Sequence, residues 1–174
     1  MLSEPEKHAR NKLANARMKI LFICTHNACR SILSEAIARQ LGRGRIQVAS
    51  AGSNPATQVH PLTLAYLRDR GYRTDGLHCK SIDALGSFGP QAVVTVCDQA
   101  AQEPCPVWLR TALKVHWGLP DPSRQAGSDQ DRAECFARVI ATIEQRIARL
   151  LEQPFETMDA EQLTCLLGDA GGQG

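Results

Sequence analysis

The chain has 174 residues and a formal net charge of +2, with 20 lysines and arginines against 18 aspartates and glutamates. This length accommodates one domain with a full hydrophobic core and is too short for two ordinary domains. The sequence has no run of like charge, which argues against a nucleic-acid partner and against binding to an anionic membrane surface. Any preference for an anion must therefore come from a local site.

The sequence contains neither a secretory signal nor a membrane span. Residues 1–17 are polar and charged, and no apolar run approaches the length that a bilayer demands. We therefore predict a cytoplasmic protein. We also expect it to be a monomer. Its expected parts are an N-terminal extension over 1–17, a main domain over 18–156, and a C-terminal helix with a glycine-rich tail over 157–174.

The first half of the chain alternates strands and helices. The continuous apolar run 20–23 is typical of a buried strand. Apolar residues then recur at helical spacing over 31–41, and a second strand is predicted over 46–51. Pro61 suits the first position of the next helix, which is expected to end before Gly71.

The second half continues this alternation. A short helix is predicted over 81–85, and strands rich in apolar and β-branched residues over 92–96 and 112–116. A long amphipathic helix follows over 128–152, with a last helix over 159–167. The predicted fold is a single α/β domain with a four-stranded parallel sheet and helices on both faces. In such folds, ligands bind outside the carboxyl ends of the strands.

The segment between the first strand and the first helix is typical of an oxyanion-binding loop. Backbone N–H groups of a tight loop that enters a helix converge on one point. Arg30 binds two anion oxygens through its guanidinium, and the same positive field favours the thiolate of Cys24. The predicted oxyanion-binding residues are Thr25, His26, Asn27, Ala28, Cys29, Arg30 and Ser31.

Other residues of this loop have narrower expected roles. Ser31 is expected to donate a hydrogen bond to the Cys24 thiolate, and Asn27 to brace the loop from within. Cys29 is expected to face the loop and to be open to oxidation. The alternative for Cys24 is a buried cysteine at a strand end, which Arg30 and Ser31 argue against.

Two further segments follow strands at the same edge of the predicted sheet. Cys97 follows the third strand, and Asp121 lies just beyond the fourth. Prolines on both sides restrict the backbone of Asp121, so that its carboxyl group is aimed and suits a general acid. The alternative is an ordinary turn, which Asp-Pro pairs often form.

The cysteine content points to thiol chemistry. Seven cysteines without a secretory signal do not suggest a disulfide framework, and their spacing is unlike that of zinc sites. Cys97 and Cys105 flank a polar stretch, which predicts that both thiols lie on a mobile surface segment where they can meet.

A hydrolase needs one cysteine, whereas reducing an oxyanion by two electrons needs a second thiol. Cys24 would then add to the oxyanion, Cys97 would attack Cys24, and Cys105 would attack Cys97. The alternative is that Cys97 is a small core residue and Cys105 an incidental loop thiol.

Four motifs together resemble the arsenate reductases of the low-molecular-weight tyrosine phosphatase superfamily. The resemblance covers roughly residues 18–152 and implies arsenate as substrate, arsenite as product, and thioredoxin or a glutathione/glutaredoxin system as external reductant, with no bound cofactor. It assigns catalytic roles to Cys24, Arg30, Cys97, Cys105 and Asp121. The motifs are Cys24-Thr-His-Asn-Ala-Cys-Arg-Ser31, Val94-Thr-Val-Cys97-Asp, Cys105-Pro106 and His116-Trp-Gly-Leu-Pro-Asp-Pro122.

The chain departs from this family pattern at some positions. His26 stands where the family loop commonly has glycine, and seven residues separate Cys97 from Cys105, one more than in thioredoxin-coupled members. Some members bind potassium through positions that match Asn27 and Glu35. Because Lys80 falls near this region and supplies a positive charge, we predict no required metal.

Two other functions are compatible with parts of this pattern. A tyrosine phosphatase on the same scaffold would bind phosphate in the same loop, but it has no use for Cys105, and the residues after Asp121 are not aromatic. A non-catalytic thiol sensor or arsenite-binding protein would use several thiols to hold a soft ion, but it needs neither Arg30 nor Asp121.

Overall fold

The computed structural model describes residues 3–4 and 17–171, and four parallel strands form its sheet. The strands are β1 (Met18–Cys24), β2 (Ile46–Gly52), β3 (Ala92–Thr95) and β4 (Leu113–His116). They are arranged in the order β2-β1-β3-β4, and every neighbouring pair is parallel. The carboxyl ends of all four strands therefore meet at one edge of the sheet.

Helices and short 3-10 turns connect the strands. The helices of residues 17–171 are α1 (Arg30–Leu41), α2 (Pro61–Asp69), α3 (Asp98–Gln102), α4 (Asp129–Leu151) and α5 (Ala160–Gly171). The 3-10 turns are Ile82–Leu85, Val107–Leu109, Pro122–Arg124 and Phe155–Thr157. A capping box starts α4, where the backbone N–H of Ser128 donates to the Asp131 carboxylate at 2.7 Å and holds its pKa below the ordinary value.

The two faces of the sheet are covered differently. Phe22 of β1 packs on Trp117 with ring centroids 5.8 Å apart, and Arg146 of α4 lies over the same indole ring. Alternate residues of a strand point to opposite faces, so Ile23 faces the other side. That side carries a cavity of 420 Å³ between the sheet, the 3-10 turn Ile82–Leu85 and α3.

The helix α5 closes the face that contains Trp117. Leu167 is completely buried, and its carbonyl oxygen accepts a hydrogen bond from Trp117 Nε1 at 2.9 Å. The helix runs to Gly171, although the sequence predicted an end at residue 167. Packing against the sheet extends the helix, because tertiary contacts outweigh the low helical propensity of Gly168.

The predicted α/β fold is confirmed, with two differences in detail. The segment after Cys97, expected to be an irregular surface loop, begins with the helix α3. The predicted extension 1–17 lies largely outside the described residues, and the division near residue 156 stays a prediction. Among residues 3–4 and 17–171, none of the helices combines the length and apolar character of a transmembrane helix.

Candidate active site

The loop between β1 and α1 forms a pocket at the carboxyl edge of the sheet. Cys24 is the last residue of β1 and lies opposite Gly52 of β2 in the strand register. Asn27 turns the loop with φ of 50°, a left-handed conformation that asparagine tolerates better than most residues. Helix α1 begins at Arg30, so its free N–H groups face the pocket.

Two donors surround the sulfur of Cys24. The backbone N–H of Asn27 donates to Cys24 Sγ at 3.2 Å, and Ser31 Oγ lies 2.9 Å from the same sulfur. Cys24 is 3% exposed, so these contacts are shielded from water. Hydrogen bonds to the charged form of a group favour that form, and the arrangement therefore stabilises a thiolate. The expected contact between Ser31 and Cys24 is present.

Asn27 fixes the direction in which Ser31 donates. Asn27 Nδ2 donates to Ser31 Oγ at 2.7 Å and to Ser50 Oγ at 2.9 Å, while Asn27 Oδ1 accepts from the Lys80 backbone N–H at 2.9 Å. Since Ser31 Oγ already accepts from the amide, its own proton is free to point at Cys24. Asn27 is completely buried, and it braces the loop as expected.

A buried ion pair lies behind this bracing network. Lys80 Nζ is 3.3 Å from Glu35 Oε2 and 3.5 Å from Ser50 Oγ, and Ser50 Oγ donates to the same carboxylate. The ammonium group compensates the buried charge of Glu35, one of the two positions that match the potassium ligands of some family members. Within the part of the chain that the structure describes, no group of three His, Cys, Asp or Glu side chains is arranged to hold a metal ion.

Arg30 and Asp121 face each other across the pocket. Arg30 Nη2 lies 3.5 Å from Asp121 Oδ2, and Nη1 donates to the Leu119 carbonyl at 3.2 Å. Asp121 Oδ1 accepts from the Ser123 backbone N–H at 3.1 Å and from its hydroxyl at 2.6 Å. These bonds leave Oδ2 directed towards the guanidinium. An anion that binds here competes with Asp121 for the donors of Arg30.

The pocket itself has a volume of 320 Å³. This volume is ample for a tetrahedral oxyanion, and the charged side chains of Arg30 and Asp121 both border it. The bordering residues are Cys24, His26, Ala28, Cys29, Arg30, Ala56, His60, Asp121, Ser123 and Arg124.

Cys29 borders the pocket, as predicted, but the prediction that it is open to oxidation is wrong. Cys29 is 5% exposed, and this burial raises the pKa of its thiol to about 12, partly offset by a hydrogen bond from Thr63. A thiol with such a pKa stays protonated at neutral pH and is a poor nucleophile. Cys29 is therefore protected from oxidation rather than open to it.

The prediction that Cys97 lies on a mobile surface segment is also wrong. Cys97 is 2% exposed, and its sulfur lies 3.6 Å from Thr25 Oγ1 in the anion loop. The same sulfur accepts a hydrogen bond from the Ala100 backbone N–H at 3.4 Å and so caps α3. Cys97 is buried because it continues β3 into the interior, and the polar stretch begins only after it. Cys105 is exposed, as expected, and borders the 420 Å³ cavity on the other face of the sheet.

A comparison with protein families identifies the fold family. Residues 19–163 match the model of the low molecular weight phosphotyrosine protein phosphatase family. The chain belongs to this family. The predicted superfamily is thereby confirmed.

Several relatives within this phosphatase family are named arsenate reductases. A glutaredoxin arsenate reductase of Synechocystis is 29% identical over 133 residues, which is 76% of this chain and 95% of the relative. An arsenate reductase of Bacillus licheniformis is 30% identical over 79% of this chain and 97% of its own length. The chain therefore groups with the arsenate reductases of the family.

Solved structures agree with this placement. An arsenate reductase in its phosphate-binding state superposes with a TM-score of 0.65 at 27% identity, covering 78% of this chain and 97% of the other. A thioredoxin-dependent arsenate reductase of Corynebacterium glutamicum superposes with a TM-score of 0.61 at 28% identity, covering 83% of this chain and 65% of that protein.

Sequence reasoning missed some residues that support the site. Ser50 is completely buried at the carboxyl end of β2 and links Asn27 to Glu35. A polar residue among the small residues Ala49, Ala51 and Gly52 at the end of β2 was the available signal. Asp98 and His116 also pair at 2.9 Å beyond the loop. No local pattern predicts a contact between residues so far apart in the chain.

Proposed function

We propose that this protein reduces arsenate to arsenite for arsenic detoxification, with Cys24 as the nucleophile and Cys97 and Cys105 as the thiols that complete a disulfide relay. The observation that carries the proposal is a second buried thiol next to the anion loop. The sulfur of Cys97 lies 3.6 Å from the hydroxyl oxygen of Thr25, and Thr25 is the residue that directly follows Cys24. Arsenate reductase is a better interpretation than phosphatase, because the matched relatives carry that name.

The first step is the addition of Cys24 to arsenic. The thiolate attacks the arsenic atom, an S–As bond forms, and one oxygen leaves as water after taking a proton from Asp121. Arg30 and the loop N–H groups bind the remaining oxygens. Ser31 and the Asn27 backbone N–H hold the thiolate before the attack. This step is not a redox reaction, because arsenic stays pentavalent.

The second step reduces arsenic. Cys97 as a thiolate attacks the sulfur of Cys24, the S–As bond breaks, and its electron pair stays with arsenic, which leaves as trivalent arsenite. A Cys24–Cys97 disulfide forms. The position of Cys97, beside the anion loop at the amino end of α3, supports this role.

The third step returns Cys24 to its thiolate. Cys105 attacks Cys97, so that the disulfide moves to Cys97 and Cys105 and becomes accessible to an external thiol. The exposure of Cys105 supports such an exit. Relatives are named for glutaredoxin and for thioredoxin, and a protein of either class would supply the two electrons here. We further propose that the protein acts as a cytoplasmic monomer.

A phosphatase reaction would share only the first step. A phosphoenzyme on Cys24 is hydrolysed by water and leaves Cys97 and Cys105 unused. We expect a low phosphatase activity as a side reaction, because phosphate esters present a similar tetrahedral dianion to Arg30.

The relay is tested by measuring arsenite production with thioredoxin, thioredoxin reductase and NADPH, and separately with glutathione and glutaredoxin. We expect Cys24→Ser to abolish activity with either system. Cys97→Ser should trap the arsenate adduct and release no arsenite. Cys105→Ser should release one equivalent of arsenite per protein and then stop, because its disulfide stays buried.

A matched control for Cys105 is Cys165→Ser, which removes another exposed thiol and should leave turnover unchanged. Equal multiple-turnover rates for Cys105→Ser and the wild type would remove Cys105 from the mechanism. The reductant that supports turnover identifies the physiological class of partner.

A further inference from the structure

A second hydrogen-bonded cluster lies beyond the anion loop and takes no part in the proposed steps. His116 ends β4 and is paired in register with Thr95, which ends β3. His116 Nε2 is 2.9 Å from Asp98 Oδ1, and His116 Nδ1 is 2.8 Å from Thr95 Oγ1. Asp98 is the first residue of α3 and directly follows Cys97. The cluster thus joins the end of the sheet to the segment that carries the second thiol.

The imidazole ring of His116 is held in either protonation state. When the ring is neutral, Nε2–H donates to Asp98 and the Thr95 hydroxyl donates to Nδ1. When the ring is charged, Nδ1–H donates to Thr95, and the hydroxyl turns to the Val115 carbonyl at 3.4 Å. Both ring nitrogens therefore keep a partner, and the contact with Asp98 persists.

The helix α3 is short and buries one side chain. It contains five residues, which is too short for a helix to be stable by itself. Ala100 is the residue of α3 that is buried, and its apolar contact is small. Beneath α3 lies the 420 Å³ cavity, which Ala100, Ala101 and Cys105 border. The position of α3 therefore depends on its amino end, where Cys97 caps the helix and Asp98 contacts His116.

The backbone packs closely against this contact. A Cβ atom on Gly118 would lie 3.1 Å from His116 Nε2 and 3.5 Å from Asp98 Oδ1. Gly118 therefore lies beside the pair and leaves it room, while the Asp98 side chain on the other side is 85% exposed.

We propose that His116 is a positioning residue that, through Asp98, holds Cys97 beside the anion loop and so sets the rate at which Cys97 attacks the Cys24 adduct. The inference rests on the proposed function, because it assigns Cys97 the second step. His116 touches no reacting atom. His116 acts on the amino end of α3 through Asp98. The residue that caps this end is Cys97, whose sulfur must reach Cys24 in the second step.

The first experiment is a double-mutant cycle on the reduced, arsenate-free protein. His116→Ala, Asp98→Ala and the double variant are compared with the wild type by the rate at which iodoacetamide labels Cys97, followed by peptide mass spectrometry. We expect each single variant to raise this rate by about two- to fivefold, the range that a solvent-exposed contact to a carboxylate supports. The double variant should match the single variants, because both changes remove the same contact.

Internal controls separate this effect from unfolding. Cys135 in α4 is 1% exposed and should stay unlabelled, while the exposed Cys105 should label at its wild-type rate. Asp75→Ala removes an exposed carboxylate elsewhere, the one paired with Arg73, and should change nothing. His116→Gln keeps a donor near the position of Nε2 and should restore slow labelling. Unchanged labelling of Cys97 in both alanine variants, or additive effects in the double variant, would overturn the proposal.

The second experiment separates positioning from substrate binding. In steady-state assays, His116→Ala and Asp98→Ala should lower kcat by about two- to fivefold and leave the KM for arsenate unchanged. A raised KM at unchanged kcat would contradict the proposal. The proposed function is tested separately, because multiple turnover by Cys97→Ser would refute the relay. The labelling of Cys97 in the His116 and Asp98 variants would still report on the contact between those two residues.

Discussion

Cys24 and Cys29 show how strongly surroundings determine the chemistry of a residue. Both belong to the same loop, and both are nearly inaccessible to solvent. Cys24 has the Asn27 N–H and the Ser31 hydroxyl within 3.2 Å of its sulfur, and these donors favour the charged form. Burial instead raises the pKa of Cys29 to about 12. At Cys29, the hydrogen bond from Thr63 offsets only part of the effect of burial.

The pKa of Cys29 predicts that the protein loses stability at alkaline pH. The thiol ionises near 9.0 in the unfolded chain and near 12 in the folded protein. Above pH 9 the unfolded state therefore binds fewer protons, and the free energy of unfolding falls as pH rises. The contribution of Cys29 is fully present below pH 9, and about 2 kcal/mol of it is lost between pH 8 and 10.5.

This is measured by urea denaturation with a reducing agent across that pH range. Cys29→Ala should have a shallower decline than the wild type, by about that amount. Burial also raises the pKa of Tyr72 and of Cys79, so the variant should keep part of the slope. Parallel declines for the wild type and Cys29→Ala would show that Cys29 is not the protonated thiol described here.

At the scale of elements, the end of β2 supports the anion loop of β1. Gly52 is paired with Cys24 in the register, and its backbone N–H donates to the Lys80 carbonyl at 2.9 Å. A Cβ atom at position 52 would lie 2.5 Å from the Thr25 carbonyl oxygen and 3.0 Å from the Asn27 nitrogen. Both of those atoms belong to backbone, so they move only if the whole loop moves.

Gly52→Ala is therefore expected to displace the anion loop. Overpacking of this kind costs about 1–3 kcal/mol of stability. Moving the Asn27 N–H also weakens its hydrogen bond to the Cys24 sulfur, which contributes about 0.5–1.5 kcal/mol. We expect arsenate to bind at least about tenfold more weakly in isothermal titration.

The matched control for this change is Gly86→Ala. A Cβ atom at Gly86 would lie 3.8 Å from the Asp83 carbonyl oxygen, an ordinary contact distance. This variant should bind arsenate as the wild type does. Normal arsenate affinity for Gly52→Ala would mean that the loop does not depend on β2 for its shape.

For the whole molecule, the helix α5 completes the core. Its Leu167 is fully buried, and the indole of Trp117 is anchored to the Leu167 carbonyl. Trp117 in turn packs on Phe22 in the central strand. The last helix therefore contacts the same core that supports the anion loop, even though the sequence suggested a separate C-terminal segment.

Leu167→Ala is predicted to lower the free energy of unfolding by about 2–5 kcal/mol, because it leaves a cavity against the sheet. Urea denaturation measures this loss. Cys165→Ala changes an exposed side chain of the same helix and should stay within about 0.5 kcal/mol of the wild type. A similarly small effect for Leu167→Ala would mean that α5 is dispensable for the domain.

Local features of the sequence predicted much of this structure. The apolar run in β1 predicted a buried strand, and the spacing from Cys24 to Arg30 indicated an anion loop before a helix. Such signals succeed because strand burial, turn conformation and helix starts depend on neighbours within a few residues. The contact between Ser31 and Cys24 was predictable for the same reason.

The sequence by itself therefore determined the strand–loop–helix unit, the family and the parallel fold. Only the tertiary structure decided which groups meet beyond that unit: Ser50 and Lys80 behind Asn27, Cys97 against Thr25, and His116 on Asp98. Those partners lie 18 or more positions apart in the chain. Packing of the sheet brings them together, and packing also buries Cys29 so that its raised pKa keeps the thiol protonated at neutral pH.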